Sequence, residues 1–513
     1  MKLTRRNALG LMAAAPFARG LHADAPAGLE IAKGPFAGTR ESLAAYRVPD
    51  WFRDAKFGIW AHWGPQSAAE FGDWYARGMY IEDSPQYKYH VEHYGHPSKF
   101  GFKDVIPTWK GDQFDPEHLV ELYKKAGAKY FVSMGVHHDN FDLWNSKHTR
   151  WNSVNMGPKK DIVGLFRQAA LKHGLKFGVS DHLWISFKWW AVSHASDKQG
   201  LLAGVPYDGA DPANADLYHD AACAKYAGPD FGWNDEGIPE AWKRHWFDRI
   251  KDLIDNYEPD LLYTDGLLPF EDYGLRQVAN LYNRSAARNG GVSQAVYTSK
   301  REEDCETGTC LLDVERGVAD RTLPNPWQTD TCVGEWHYKR GIKYNTPKTV
   351  IDLLVDIVSR NGNLLLNFPL PNSGAPDAEE LKIVAAITDW MAVNSEGIYG
   401  TRPWKMFGEG PGTQNAKKGA FNESARKDLT AEDVRFTTKG NSLYAFVMGW
   451  PAGNVLIKPL GTASAQEPGK IANVELLGHH GKLEWSQTEA GLRVTLPQLA
   501  PSKHAVTLKV ALG

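Results

Sequence analysis

Three apolar runs in this chain stop abruptly at polar side chains, and that arrangement restricts the fold more than any other feature. Lys129-Tyr130-Phe131-Val132-Ser133-Met134-Gly135-Val136 ends in His137-His138-Asp139. Phe57-Gly58-Ile59-Trp60-Ala61 ends in His62-Trp63-Gly64, and Leu261-Leu262-Tyr263-Thr264 ends in Asp265-Gly266. A buried strand whose end breaks into imidazoles and carboxylates is what a parallel barrel presents at its catalytic rim. Helical patterns lie between such runs. Asp115 to Lys125 reads as a capped helix leading into the strand Ala128–Met134; Asp161 caps the next, which carries Ile162, Leu165, Phe166, Ala169 and Ala170 on one face. Strands Leu175–Val179, Leu261–Thr264, Gln294–Thr298 and Asn363–Asn367 alternate with helices Pro239–Asn256, Tyr273–Asn289 and Pro347–Arg360. Such αβ units from about Tyr46 to Gly400 predict an α/β fold with a (β/α)8-like, TIM-type barrel rather than an open sheet.

The pattern changes after Gly400. Val434–Thr437, Ser442–Gly449, Val455–Pro459, Ala472–Leu477, Leu483–Gln487, Leu492–Leu496 and His504–Val510 are short strands between Gly, Pro, Asn and Ser turns. They predict a C-terminal antiparallel β-sandwich. The expected division is a targeting segment at 1–25, the barrel at 26–400 and the sandwich at 401–513. Trp189–Gly237 is polar and weakly periodic, and reads as a long loop walling the substrate site.

The targeting segment rests on Lys2-Leu3-Thr4-Arg5-Arg6, the short apolar run Ala8 to Ala18, and the small residues Ala23-Asp24-Ala25. The Arg pair resembles a twin-arginine signal, so a periplasmic or secreted protein beginning near Pro26 is expected. The apolar run is too short to span a bilayer. No other segment reads as transmembrane, so the mature form is expected not to insert into a membrane.

A net charge of −3 without a basic stripe or acidic tail argues against nucleic acid and anionic membranes as partners. The chain holds 19 tryptophans; most belong in the core, and the remainder suit the C–H faces of sugar rings. Cys223, Cys305, Cys310 and Cys332 are too few for a disulfide scaffold, though an oxidising compartment would permit a Cys305–Cys310 bridge.

Hydrolysis of a glycosidic bond takes two carboxyl groups, one ionised and one protonated. Asp265, at a strand end beside Gly266, suits the ionised role, with a turn-capping Asp as the competing reading. Glu315 follows the short run Leu311-Leu312 and is separated from Asp313 by one residue, so both would share a face of a regular strand. Like charge and burial would raise its pKa as a proton donor needs; a surface Glu–Arg pair with Arg316 is the alternative. Adjacent strand residues face opposite sides, so His137 and His138 are not expected to share a metal ion. They better suit imidazoles that hydrogen-bond sugar hydroxyls.

At this point the residues resemble a known family. Trp51-Phe52-Arg53-Asp54-Ala55-Lys56-Phe57-Gly58-Ile59-Trp60-Ala61-His62-Trp63-Gly64 is similar to the opening signature of glycoside hydrolase family 29, the retaining α-L-fucosidases. So are Lys129 to Phe141 with Leu143-Trp144-Asn145-Ser146-Lys147-His148-Thr149, and Lys160-Asp161-Ile162-Val163. A third block runs from Leu353 to Asn367, followed by Gly397-Ile398-Tyr399-Gly400-Thr401-Arg402-Pro403-Trp404. Similarity extends in order from about Pro49 to Trp404, and the sandwich tail fits the family architecture.

The resemblance implies an exo-acting, retaining α-L-fucosidase that works on fucosylated oligosaccharides or glycans with no cofactor and no metal. Asp265 takes the place of the nucleophile, and His62, His137 and His138 those of the fucose-binding histidines. Asp73-Trp74-Tyr75 matches an element where members often carry Glu first, so Asp73 has the shorter reach. Glu315 matches the acid/base by placement, with Glu302, Glu303 and Glu306 as rivals, and Lys300 or Arg301 as the cation beside it. Trp74 or Trp336 is expected near the fucose methyl group. Ser180-Asp181-His182-Leu183-Trp184 departs from the family pattern and alters one pocket wall. The alternative functions are action on another sugar such as α-L-galactose, action on sulfated fucans, or catalytically silent fucose binding.

Overall fold

The computed structural model describes residues 28–513 apart from 229–230, 415–418 and 424–425. The expected targeting segment at 1–25 lies outside the described residues. Eight strands build the first part: β1 (Phe57–Ala61), β2 (Tyr130–Val136), β3 (Lys176–Asp181), β4 (Leu261–Thr264), β5 (Val296–Ser299), β6 (Leu311–Leu312), β7 (Trp327–Cys332) and β8 (Gly362–Asn367). They run parallel in the order β6-β5-β4-β3-β2-β1-β8-β7. The two ends of that sheet meet through a parallel bridge between Asp313 and Gln328, with Val314 N–H donating to the Gln328 carbonyl at 2.9 Å and Arg316 N–H to the Asp330 carbonyl at 2.8 Å. The sheet is therefore a nearly closed barrel, as the αβ alternation predicts.

Capping chemistry sets the helices where the sequence places them. Asp115 accepts from His118 N–H at 3.0 Å and opens helix Pro116–Lys125; Asp161 accepts from Gly164 N–H at 2.9 Å and opens Ile162–Lys172. Trp60, Tyr130, Val132, Leu261, Tyr263, Val296 and Leu365 pack together as a buried cluster inside the barrel, so the barrel is filled by side chains.

One barrel strand is absent from the sequence reading. β7 contains Gln328, Thr329, Asp330 and Thr331, all buried, and lacks the apolar run that marks a buried strand. Its polar side chains find partners on other strands and their loops: Tyr130 Oη donates to Gln328 Oε1 at 2.9 Å, and Thr329 Oγ1 to the Val314 carbonyl at 2.7 Å. The segment after Trp189 is a succession of short helical turns rather than an open loop.

Beyond the barrel lie two antiparallel sheets, built from β9 (Arg402–Glu409), β10 (Val434–Lys439), β11 (Ser442–Val447), β12 (Asn454–Ile457), β13 (Ile471–Leu476), β14 (Glu484–Thr488), β15 (Gly491–Thr495) and β16 (Val506–Leu512). One has the order β13-β16-β11-β10-β9 and the other β12-β15-β14. Phe436, Ala445 and Leu508 of the first pack with Val455, Ile457 and Val494 of the second in one core, as a sandwich requires. β9 is missing from the predicted strands, since Pro403 and Gly408 disguise it.

A buried charge cluster ties the two parts together. Asp356, on helix Pro347–Ser359, pairs with Arg435 of β10, with Arg426 at 2.5 Å and with Arg360 at 3.3 Å. Burial opposes its charge, but the three guanidiniums hold the carboxyl well below the usual range. Asp356→Asn would strand those cations away from water, and is expected to cost about 3–5 kcal/mol. The loss is read as a lower denaturant midpoint at unchanged slope; a change under about 1 kcal/mol would contradict the role given to this cluster.

Candidate active site

The polar strand ends converge on a cavity of about 580 Å³, a size suited to a small ligand. β1 supplies His62, whose N–H donates to Asn367 Oδ1 at 2.7 Å. Asn367 Nδ2 in turn donates to the Trp336 carbonyl at 2.9 Å, joining the ends of β1 and β8 to the segment that carries Trp336. β2 ends at Val136, and Asn140 turns the chain in a left-handed conformation (φ 65°). The alternation expected of His137 and His138 does not apply, because both lie past the strand. Both line the cavity, with ring centroids 4.5 Å apart.

Hydrogen bonds orient these imidazoles. Gln66 Nε2 donates to His137 Nδ1 at 2.9 Å, so a neutral His137 carries its proton on Nε2. His138 Nδ1 donates to the His182 carbonyl at 2.5 Å. Burial pushes His62, His137 and His182 down, His62 and His137 well below the ordinary imidazole value. Neutral imidazoles at the floor of a cavity can donate to or accept from hydroxyl groups. His62, His137 and His182 also offer ring nitrogens within 4.8 Å of one another, a spacing at which they could hold an ion. Among the described residues no such group includes both His137 and His138, so the expectation that these two do not share an ion stands, although its alternation argument does not apply past the strand end.

Asp265 follows β4, and its carbonyl accepts from Trp184 Nε1 at 2.6 Å. Gly266 has φ 95°, and a Cβ there would lie 3.3 Å from the Trp184 ring, so glycine lets the chain turn beside it. The Asp265 carboxylate stands among cations and donors. Lys300 Nζ donates to Oδ1 at 2.7 Å, while His138 Nε2 and His182 Nδ1 lie 3.4 and 3.3 Å from Oδ2. Burial alone would raise this carboxyl; Lys300, then His138 and His182, overrule it and hold Asp265 well below the usual range.

Lys300 also donates to Glu315 and lies 3.6 Å from Asp330 Oδ2, while Tyr263 Oη donates to that Asp330 oxygen at 2.9 Å. Glu315 is pushed up to about 7 chiefly by burial, with Lys300 opposing and the charges of Asp330 and Asp265 adding to the rise. The two carboxyls are thus driven apart, one ionised and one able to hold a proton at neutral pH. Asp313 acts on this cluster through Lys300 and Asp330. Although β6 ends at Leu312, Asp313 and Glu315 both interact with Lys300 and Asp330, and buried Asp313 accepts from Gln328 Nε2 at 2.6 Å.

Lys300, not Arg301, is the cation beside the acids. Arg301 is exposed, lies 3.4 Å from Glu303, and does not line the cavity. The rival acids Glu302, Glu303 and Glu306 are likewise exposed and outside it, on and just after the short helix Glu302–Cys305. Asp73 lines the cavity and accepts from His337 Nδ1 at 2.7 Å, so one of its oxygens is already engaged. Trp74 lies edge-on to His138 with centroids 5.8 Å apart, and Trp336 lies 5.2 Å from His62.

Comparison with known proteins decides the family. A family model described as "Alpha-L-fucosidase" matches residues 25–396, and one described as "Alpha-L-fucosidase C-terminal domain" matches 426–512. The chain belongs to the alpha-L-fucosidase family. It is similar to the tissue alpha-L-fucosidase of Rattus norvegicus, 27% identical over 482 residues that cover 91% of this chain and 89% of that one. It is 28% identical over 480 residues to the plasma alpha-L-fucosidase of Homo sapiens, covering 90% and 89%. The fold is shared with the Thermotoga maritima alpha-fucosidase solved in complex with fucose (TM-score 0.69, 24% identity, covering 93% and 100%). It is also shared with alpha-L-fucosidase isoenzyme 1 from Paenibacillus thiaminolyticus (TM-score 0.63, 19% identity, covering 92% and 99%). This chain is accordingly a glycoside hydrolase with α-L-fucosidase activity.

Several pocket residues of this fucosidase escaped the sequence reading. Asp330 was hidden in the polar strand β7, and Trp233 lies in a segment without strand or helix periodicity, as does His337, which holds Asp73 from outside the cavity lining. His182 carried a usable signal: it follows a strand end in Asp181-His182, as His137-His138 does. Asp181 beneath it is buried, accepting from Leu183 N–H at 2.8 Å and Trp246 Nε1 at 2.9 Å.

Proposed function

We propose that this fucosidase is an exported, exo-acting enzyme that removes terminal α-L-fucosyl residues with retention, by double displacement. Asp265 attacks the anomeric carbon as the C1–O bond to the leaving group breaks, and Glu315 gives its proton to the departing oxygen. Water then attacks C1, the Asp265 ester bond breaks, and Glu315 takes the proton from that water, which restores both groups. His62, His137 and His138 bind the fucose hydroxyls, with Asp73 alongside, and Trp74 and Trp336 pack against the sugar. Arg301 has no part in binding.

The observation that carries this reading is the single Lys300 ammonium in hydrogen-bond contact with both Asp265 and Glu315. It keeps their nearest oxygens within about 6 Å, twice a hydrogen bond. That accords with the roughly 5–5.5 Å of retaining enzymes and falls short of the ~6.5–9.5 Å that an inverting enzyme needs for its water. Proton NMR during hydrolysis of an aryl α-L-fucoside is expected to show α-L-fucose as the first product, before mutarotation. First appearance of the β-anomer would overturn the mechanism.

Export is supported by the Arg5-Arg6 pair with its apolar run. It is supported also by the Cys305–Cys310 bridge, which suits an oxidising compartment.

A further inference from the structure

Phe421 is 60% exposed and yet lines the catalytic cavity. It belongs to residues 419–423, which lie between β9 and β10, far along the chain from every barrel strand. This short segment pairs residue by residue with the loop that carries Glu315. Phe421 N–H donates to the Glu315 carbonyl at 2.8 Å, and Glu423 N–H to the Arg316 carbonyl at 3.1 Å. Asn422 brackets Val318, accepting from its N–H at 3.0 Å and donating to its carbonyl at 2.9 Å. The Glu423 carboxylate takes Arg316 Nε on one oxygen at 2.6 Å and Thr331 Oγ1 of β7 on the other at 2.7 Å.

The loop needs such support. β6 is two residues long; past it the Glu315 loop is tied to β7 by Val314 N–H to the Gln328 carbonyl and Arg316 N–H to the Asp330 carbonyl, its other edge is open to residues 419–423, and Arg316 sits in the left-handed region at φ 46°. A proton donor must also meet the leaving oxygen, so the sugar beyond that oxygen lies against whatever flanks Glu315. The exposed ring nearest along the backbone is Phe421, bonded to the carbonyl of Glu315 itself. Trp233, also exposed, packs instead against Trp74 and His138 at the floor, with centroids 5.9 and 5.5 Å away.

We infer that residues 419–423 build the leaving-group side of the active site: Phe421 is the surface on which the sugar bearing the fucose rests, and Glu423 is a positioning residue for Glu315. The ligand is a pyranose ring with an apolar C–H face, joined through its oxygen to the fucose anomeric carbon. The inference rests on Glu315 as proton donor.

The test compares a fucosylated disaccharide with fucosyl fluoride, whose leaving group has no ring. Phe421→Ala is expected to lower kcat/KM on the disaccharide about tenfold, mainly through KM, and at least about fivefold more than on the fluoride. Phe421→Tyr should restore it. Glu423→Gln is expected to lower kcat on the disaccharide with little change in KM, and again to hurt the fluoride less. Equal losses on the two substrates, or a full-strength disaccharide reaction in Phe421→Ala, would overturn the platform. A Glu423→Gln defect lying in KM alone would overturn the positioning role. Melting curves of each variant separate misfolding from these outcomes. Should Glu315→Gln spare the disaccharide, the proton-donor assignment fails, whereas the KM of Phe421→Ala still reports on the platform.

Discussion

Asp265→Gly abolishes hydrolysis, with kcat on an aryl α-L-fucoside expected to fall on the order of 10⁴-fold or more, the scale reached when a covalent nucleophile is removed. The side chain lost is the one that Lys300 and two histidines hold ionised at the foot of the cavity. Replacing it by glycine leaves a space beside the anomeric carbon and a free cation next to it. Azide, small and anionic, is expected to enter that space, attack C1 and restore turnover of the activated aryl fucoside. The product is then the β-L-fucosyl azide, inverted because only one displacement occurs. Persistent wild-type turnover in the variant, or an azide product of retained configuration, would remove Asp265 from the nucleophile's place.

Replacing Glu315 should divide substrates by their leaving group. A general acid contributes roughly 10²–10⁴-fold where the departing oxygen needs a proton. Glu315→Gln is expected to lose that much on natural glycosidic linkages and far less on aryl fucosides with good leaving groups. The pH profile makes a second check, with its sign set by the raised pKa. Glu315 must hold its proton to act and is pushed up to about 7, so wild-type kcat/KM on a poor leaving group declines as pH climbs beyond about 7. That limb should vanish in Glu315→Gln. Equal losses on both substrate classes, or an unaltered basic limb, would count against the assignment.

The parts of this site legible from the residue pattern without the family resemblance are mostly of one kind, polar residues just after an apolar strand. His62, His137, His138 and Asp265 are of this kind, and His182 obeys the same rule. Their placement rests on local chemistry, since a parallel barrel gathers the C-terminal ends of its strands on one face. The helix caps Asp115 and Asp161 were equally readable, because a cap bonds an amide only three residues away. β7 was not, for its buried side chains are polar and find partners on other strands. No window of β7 alone contains Tyr130, Tyr263 or Val314.

The acid side of the site shows the limit most clearly. Sequence spacing paired Glu315 with Asp313, and the family resemblance offered Arg301, with Lys300 as its alternative, for the cation. In the fold β6 stops one residue before Asp313, which turns to Gln328, and the charges that act on Glu315 come from Asp330 and Asp265.

Periodicity and the side chains next to strand ends were enough to predict the barrel and the antiparallel tail and to make Asp265 a candidate for the ionised carboxylate, and three matching sequence blocks carried the family resemblance. In those features near neighbours along the chain are near neighbours in space. Three-dimensional packing was needed to show which cation joins the two acids, which charges raise Glu315, and that residues 419–423 reach back to hold its loop. These depend on distances between residues far apart in the chain, and burial at the barrel mouth gives those distances their electrostatic weight.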